Sequence, residues 1–204
     1  VAAFSFFPTK VMTAGEAGMV TTDSESLYET MLSIREFGRQ IRNASGSRLV
    51  QVRVDGGVNG KISEMTALLG LVECGRVSRR IERRRVLVDM YANKLDSSSY
   101  EVVKQEGASY YKCIVHVKRE GVRDALRDYA QAHGVSFTGE VYFKGVHEMP
   151  AYEEHATSLP NTEYACANHV CPPLYPELTE EEVERVCSVM NAFLNSSGTV
   201  SKMA

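Results

Sequence analysis

A hydroxyl and an amine stand five residues apart near the start of this chain, in the run Ser5-Phe6-Phe7-Pro8-Thr9-Lys10, and the glycine-containing loop Gly15-Glu16-Ala17-Gly18 follows. A lysine just after a short apolar strand can be held against a bound ligand while such a loop closes over both. That position suits a lysine forming a Schiff base with an aldehyde cofactor. Ser5 is placed to bind a phosphate while the amine reaches the cofactor's other end. Taken alone, the pair reads far more readily as an ordinary exposed lysine beside a strand serine. A second cluster, Cys166 and Cys171 with His169 between them, fits no standard zinc spacing and runs into Pro172-Pro173, so no metal site is expected.

These side chains need elements to carry them. Ala3 to Phe7 and Gly18 to Thr22 read as short strands around the lysine loop. Thr22-Asp23-Ser24-Glu25 reads as a capping box opening a helix, with Leu27, Met31 and Ile34 on one face and Gly38 at its end. The polar stretch from Gly38 to Gly57 reads as a long loop with Val50, Val52 and Val54 as a brief extended piece. A helix is expected from about Ser63, with Met65, Leu68, Leu69 and Val72 at helical spacing and Gly70 and Gly75 as interruptions. A second helical stretch, Ser78 to Leu95, carries many arginines, which read as a solvated or interface face.

After Asp96-Ser97-Ser98-Ser99 the pattern changes to a smaller α+β module. Tyr111, Cys113, Val115 and Val117 alternate as a strand, and Val122, Leu126 and Tyr129 mark a helix ending before Gly134. Val135 to Phe143 reads as extended, Glu163 to Asn168 as a short helix, and Cys171 to Leu174 as extended again. Thr179-Glu180-Glu181-Glu182 is another capping box, leading into a helix with Val183, Val186, Met190 and Phe193 on its apolar face and a polar tail from Asn195.

Composition narrows the function classes. The chain has 204 residues, 44% hydrophobic and 24% charged, with a net charge of −3, which gives no strong pull toward nucleic acid or membrane. No apolar run approaches the roughly 18 residues of a membrane span. Five cysteines without a tight framework point to reduced thiols and a cytoplasmic setting. Val1-Ala2-Ala3-Phe4 has the character of a strand interior, so sequence upstream of it is expected.

Further segments recur in order. They are Gly57-Val58-Asn59-Gly60-Lys61-Ile62-Ser63-Glu64-Met65 running into Ala67-Leu68-Leu69-Gly70-Leu71, then Glu82-Arg83-Arg84-Arg85, and then Leu159-Pro160-Asn161 and Cys171-Pro172-Pro173-Leu174-Tyr175-Pro176-Glu177-Leu178-Thr179. Together with Ser5 to Gly18, these closely resemble the C-terminal half of the DegT/DnrJ/StrS family of pyridoxal-phosphate-dependent sugar aminotransferases. The resemblance implies an α/β fold: residues 1–95 as the C-terminal part of a fold-type I cofactor-binding large domain, and 96–204 as a small C-terminal α+β domain. It makes Lys10 the Schiff-base lysine and proton-transfer base, and Ser5 a ligand of the cofactor phosphate. Asn59 would reach the phosphate of a neighbouring subunit's cofactor, a role compatible with being a turn residue between glycines.

The resemblance also gives His147, in Val146-His147-Glu148-Met149-Pro150-Ala151-Tyr152, a place near the sugar substrate, against a loop-packing role. Tyr142 and Phe143 are further pocket candidates, and Arg39, Arg42, Arg48 and Arg53 are candidates for diphosphate contact, with a merely solvated loop as at least an equal alternative. The implied partners are a nucleotide-diphosphate keto-sugar, glutamate or glutamine as amino donor, and a second copy sharing its active sites in a homodimer. The family's chain is about twice as long, and its N-terminal half carries the aspartate and aromatic residue that hold the cofactor ring. A separate chain is one possible source of that half. The competing expectation is a catalytically incomplete fragment or split-gene remnant that keeps only packing and dimerisation roles.

Overall fold

Short runs of small and apolar side chains let Ala2–Ser5 (β1) and Gly18–Thr21 (β2) extend and pair antiparallel, with Ala2 opposite Thr21 and Ser5 opposite Gly18. The computed structural model describes residues 1–42, 48–52 and 56–200, with the backbone alone for 40–42, 48–52 and 195–200. It divides into two compact units, residues 1–78 and 79–204.

In the first unit, β2 leads to α1 (Glu25–Arg35). Its cap is Ser24 rather than Thr22: Ser24 Oγ accepts the Leu27 N–H at 3.4 Å, while Thr22 Oγ1 accepts the Ser24 N–H at 3.1 Å. The helix stops where Phe37 (φ 62°) and Gly38 (φ 73°) take left-handed backbone, and the Gly38 N–H returns to Ser33 O at 2.8 Å.

The stretch expected to be a long loop holds an antiparallel hairpin instead, β3 (Arg39–Arg42) and β4 (Arg48–Val52). Val50 and Val52 fall within β4, whereas Val54 lies outside the described residues. β3 has no alternating apolar signal because its residues are Arg-Gln-Ile-Arg, so a pattern reading passes over it. Ser63 caps α2 (Glu64–Cys74), its Oγ accepting the Thr66 N–H at 3.1 Å. The faces expected to be buried on α1 and α2 are open among the described residues: Leu27 is 44% exposed, Leu68 56% and Met65 78%.

The second unit is built on α3 (Val77–Lys94), whose Leu87, Val88 and Tyr91 are fully buried. This packing places α3 with the residues that follow it, so the compact units part upstream of the compositional change near residue 96. β5 (Tyr100–Val102), β6 (Val115–Val117) and β7 (His169–Val170) form an antiparallel sheet in that order. Tyr100, Val115, Val117 and Val170 turn inward onto α4 (Arg123–Ala132) and α6 (Glu180–Val200), through Leu126, Val183 and Met190. α5 (Pro160–Ala167) precedes β7.

The Thr179 box forms as expected: Glu182 N–H reaches Thr179 Oγ1 at 3.2 Å and Thr179 N–H reaches Glu182 Oε2 at 2.8 Å. The segment from Val135 to Phe143 joins no sheet among the described residues, and the expected strand from Tyr111 is confined to Val115–Val117. The polar tail continues α6 to Val200, and residues 201–204 lie outside the description. No helix among the described residues is long and apolar enough to cross a membrane.

Candidate active site

The Ser5–Lys10 segment is shaped by one carbonyl. Phe6 O accepts both the Ala14 N–H at 2.9 Å and Thr13 Oγ1–H at 3.1 Å, and the Phe6 N–H bonds Ala17 O at 2.9 Å. Inside that closure, the Lys10 N–H bonds Phe7 O at 2.9 Å, so the lysine sits in a tight turn beyond the end of β1. The Gly15 N–H bonds Thr13 Oγ1 at 3.0 Å with Gly15 at φ 79°, a conformation that favours glycine. The loop expected to be flexible is thus closed by its own hydrogen bonds. It rests on α2 through buried Ala14: a Cβ at Gly70 would stand 3.3 Å from Ala14 Cβ, so the glycine that interrupts the helical pattern makes room for the lysine loop.

Lys10 is half-buried and Ser5 is exposed. Ser5 Oγ accepts the Phe7 N–H at 3.4 Å, at the outer limit of a hydrogen bond, which leaves its own hydroxyl hydrogen for another acceptor.

Asn59 belongs to the same unit. The strand-like stretch around it is stapled to the end of α1: Val58 N–H bonds Ile34 O at 2.8 Å, Phe37 N–H bonds Val58 O at 3.0 Å, and Gly60 N–H bonds Arg35 O at 2.9 Å. Glu36 and Asn59 face one another as an isolated antiparallel bridge. A Cβ at Gly57 would collide with the backbone of Phe37 and Gly38, so only glycine allows this approach. Lys61 Nζ closes the staple on Glu36 at 2.8 Å, holding that carboxyl below the usual range through the hydrogen bond. The result is an exposed Asn59 side chain on a fixed backbone. Arg39 stacks over the Phe37 ring at 5.0 Å. The side chains of Arg42 and Arg48, and the whole of Arg53, lie outside the described residues.

His147 lies in the second unit. Its side chain is 10% exposed, with Nε2 at 3.3 Å from Glu163 Oε1 and the ring against Gly145. The same Glu163 oxygen accepts the Leu159 N–H at 2.7 Å at the start of α5. Within this unit the His147 ring thus packs against its own loop and the start of α5. Glu163 escapes a motif search because a glutamate in the first turn of a helix reads simply as capping. Tyr142 and Phe143 are exposed, and Arg123 lies under the Phe143 ring at 4.7 Å.

Three arginines in the middle of α3, Arg83, Arg84 and Arg85, turn to the unit's own backbone, while Arg79 is exposed. Arg84, 7% exposed, sends Nη1 to Tyr110 O, Tyr111 O and Leu174 O at 3.1, 3.2 and 3.1 Å. Arg83 reaches Leu178 O at 2.7 Å and Arg85 reaches Ala108 O at 3.1 Å. They satisfy carbonyls of irregular segments that have no ladder to join.

Cys166 and Cys171 are buried, and His169 between them uses both ring nitrogens, Nδ1 at 2.7 Å from Ala165 O and Nε2 at 3.0 Å from the Val141 N–H. Burial pushes the Cys171 thiol up to about 11 and the Cys187 thiol up to about 12.

Comparison with known proteins covers nearly all of these elements. The DegT/DnrJ/EryC1/StrS aminotransferase family matches residues 1–191. The chain is 26% identical over 195 residues to GDP-perosamine synthase of Escherichia coli O157:H7, a match covering 95% of this chain and 51% of that protein. It is similar in structure to the aminotransferase TlmJ of Streptoalloteichus hindustanus, with a TM-score of 0.82 at 25% identity over 96% of this chain and 52% of the other. The sugar aminotransferase Spr1654 of Streptococcus pneumoniae, solved in its PMP form and described as putative, shares the fold, with a TM-score of 0.80 at 22% identity over 95% of this chain and 53% of the other. The chain spans about half the length of the curated relatives it matches.

Proposed function

Because the chain belongs to the DegT/DnrJ/EryC1/StrS aminotransferase family, we propose that it carries the lysine side of an active site that moves an amino group from glutamate or glutamine to a nucleotide-linked keto-sugar with pyridoxal phosphate. The observation carrying this reading is the Ser5–Lys10 turn: one half-buried lysine and one exposed, weakly engaged hydroxyl on a single closed loop. That pair fits a cofactor with an aldehyde at one end and a phosphate at the other. On this reading residues 1–95 are part of the cofactor-binding domain, and 96–204 are the small domain.

Pyridoxal phosphate, when bound, supplies an aldehyde carbon that exchanges imines with amines and a ring that withdraws electrons. The residues of this chain do the rest of the work assigned here. Lys10 Nζ would hold the aldehyde end of that group and, when free of it, would be the general base that takes a proton from the donor Cα. The closure on Phe6 O holds the lysine backbone still, so its side chain alone has to move. Ser5 Oγ–H donates to a phosphate oxygen. Asn59 Nδ2–H donates to the phosphate of a cofactor held by a second copy, which makes the working unit a homodimer. The rigid staple under Asn59 supports that role because a fixed donor loses little entropy on binding. His147 contributes to the sugar side by ordering the 145–163 region rather than by offering a free ring nitrogen.

The test is covalent. The protein loaded with pyridoxal phosphate and reduced with borohydride should carry the cofactor on Lys10 Nζ, located by peptide mass. Lys10→Ala should fold with the same circular dichroism and carry no label. Label on any other lysine would sink the assignment. GDP-linked keto-sugars are the first substrates to try, given the name of the curated relatives.

A further inference from the structure

Residues 138–141 form no ladder with any strand among the described residues, yet they are held from three sides. Thr138 N–H and Oγ1–H both bond Cys171 O, at 2.9 and 3.1 Å. Lys112 Nζ gathers three carbonyls, Thr138 O, Gly139 O and Glu140 O, at 3.0, 2.8 and 3.4 Å. The third hold is His169 Nε2, which stands 3.0 Å from the Val141 N–H. Immediately beyond this point come the exposed Tyr142 and Phe143, then His147.

The tautomer of His169 follows from its partners. Nδ1 lies 2.7 Å from a carbonyl, Ala165 O, and a carbonyl can only accept, so Nδ1 carries the hydrogen. Nε2 faces an N–H donor, so it must hold a lone pair. Both contacts are satisfied only by neutral imidazole with its hydrogen on Nδ1. Adding a proton at Nε2 would set one donor against another, and the Val141 N–H would have to leave.

We propose that His169 is a positioning residue: its neutral ring fixes Val141, and through Val141 the segment presenting Tyr142, Phe143 and His147. The consequence for the sugar rests on the aminotransferase reading above, whereas the hold on Val141 does not.

The groups facing the ring are consistent with a neutral state. The ring of His116, cross-strand on β6, has its centroid 6.4 Å away, and its buried Nδ1 has no hydrogen-bond partner among the described residues. Arg123 on α4 and Glu140 in the held segment act on the ring with opposite signs, and Glu140 is itself paired with Arg127 at 3.0 Å. Lys112 lies over the carbonyls of the same segment, and α5 contributes the Ala165 carbonyl and the buried Cys166 thiol. Burial is the first cause that moves His169 below the ordinary histidine range. A group with a depressed pKa in the fold contributes stability above its unfolded pKa and loses it as pH falls, so the hold is intact at neutral pH and fails only in acid. The Cys171 thiol also approaches the Val141 N–H, but a thiol is a weak acceptor beside an imidazole lone pair.

The test is made on the intact protein by nuclear magnetic resonance. A scalar coupling across the hydrogen bond between His169 Nε2 and the Val141 amide nitrogen should be present at pH 8. The exchange protection of the Val141 amide should fall by about tenfold as His169 takes up its proton, in proportion to a net hydrogen bond. His169→Gln keeps an acceptor without a titration, and should keep Val141 protected across the same pH range. His169→Leu should lose the protection at every pH. If the leucine variant does not fold, the coupling and the comparison of wild type with glutamine decide alone. Unchanged protection in the leucine variant would hand the hold to Cys171 and overturn the proposal, as would protection in the wild type that ignores pH. In the sugar reaction, KM for the nucleotide sugar should rise in acid for the wild type and stay level for His169→Gln. If Val141 behaves as expected while KM does not follow, the link to substrate is refuted. Loss of the Lys10 label with Val141 behaving as expected would count against the aminotransferase reading alone.

Discussion

Replacing Arg84 with methionine should destabilise the protein by about 1–3 kcal/mol. The figure is worked from what Nη1 holds. Of its three acceptors, the bond to Leu174 O is buried, while those to Tyr110 O and Tyr111 O are part-buried. Water can take over the two outer carbonyls, so each loses only about 0.5 kcal/mol. The Leu174 carbonyl has no such substitute, and leaving it without a donor costs about 1–3 kcal/mol.

Against this stands relief: burial lowers the Arg84 pKa and its Nε is buried without a hydrogen-bond partner among the described residues, so removing the guanidinium recovers about 1 kcal/mol. Methionine fills the stem's volume, which keeps a cavity term out of the comparison. With a urea slope of about 1–3 kcal/mol per molar, the midpoint should drop by about 1 M, read by far-ultraviolet circular dichroism. Arg79→Met, on an exposed position of the same helix, is the control and should stay within about 0.5 kcal/mol of wild type. An Arg84→Met midpoint indistinguishable from that control would refute the view that α3 is tied down through its arginines.

Gly57→Ala should cost about 1–3 kcal/mol in a thermal melt, because the added methyl forces apart the backbone contact with Phe37 and Gly38, and it should also reduce cofactor loading by disturbing Asn59. Among the five cysteines, only exposed Cys74 should react with a disulfide reagent at pH 8 in the native protein, and all five should react after denaturation; a second fast thiol would contradict the burial. Because the folded pKa values of Cys171 and Cys187 are raised to about 11 and about 12, their contribution to stability is complete below the unfolded thiol pKa and is lost as pH rises. Urea midpoints should therefore hold up to about pH 8.5 and fall beyond it, by up to about 1.4 kcal/mol per pH unit for each thiol.

What the sequence made legible was local and periodic. The Thr179 box, the Ser63 cap and the apolar face of α6 follow from short-range rules, and each formed as the pattern requires. The strand, lysine and loop order around Lys10 was legible too, because glycine and hydroxyl spacing carry it. The β3–β4 hairpin was hidden because Arg-Gln-Ile-Arg has no alternation to detect. The cap of α1 moved two residues from Thr22 to Ser24 because three hydroxyl or carboxyl residues in a row all qualify as caps. Helical spacing in α2 predicted which side chains share a face, but not what lies over that face, since periodicity says nothing about distant contacts. His147 was singled out by its motif, while its partner Glu163, sixteen residues on, needed the fold to bring it near.

The largest misreading, the arginine row, has a physical source. A cluster of charges is normally solvated, and the exception arises when a domain has many carbonyls outside regular structure. Strands of three, three and two residues pair very little backbone. The segments 105–111, 138–141 and 171–178 must satisfy their carbonyls some other way. Long cationic side chains do this well, since a guanidinium has five donors and an ammonium three. Arg83, Arg84 and Arg85 serve the first and third segments, Lys112 the second, and Arg123 reaches Cys166 O at 2.7 Å in the same manner. His169 fits this scheme with the polarity reversed: where Val141 offers a donor instead of a carbonyl, the fold needs an acceptor, and a neutral imidazole supplies it. The second unit thus orders its irregular segments, including the one leading to Tyr142 and Phe143, with side chains rather than ladders. A charge count from sequence alone cannot separate such internal donors from a binding surface.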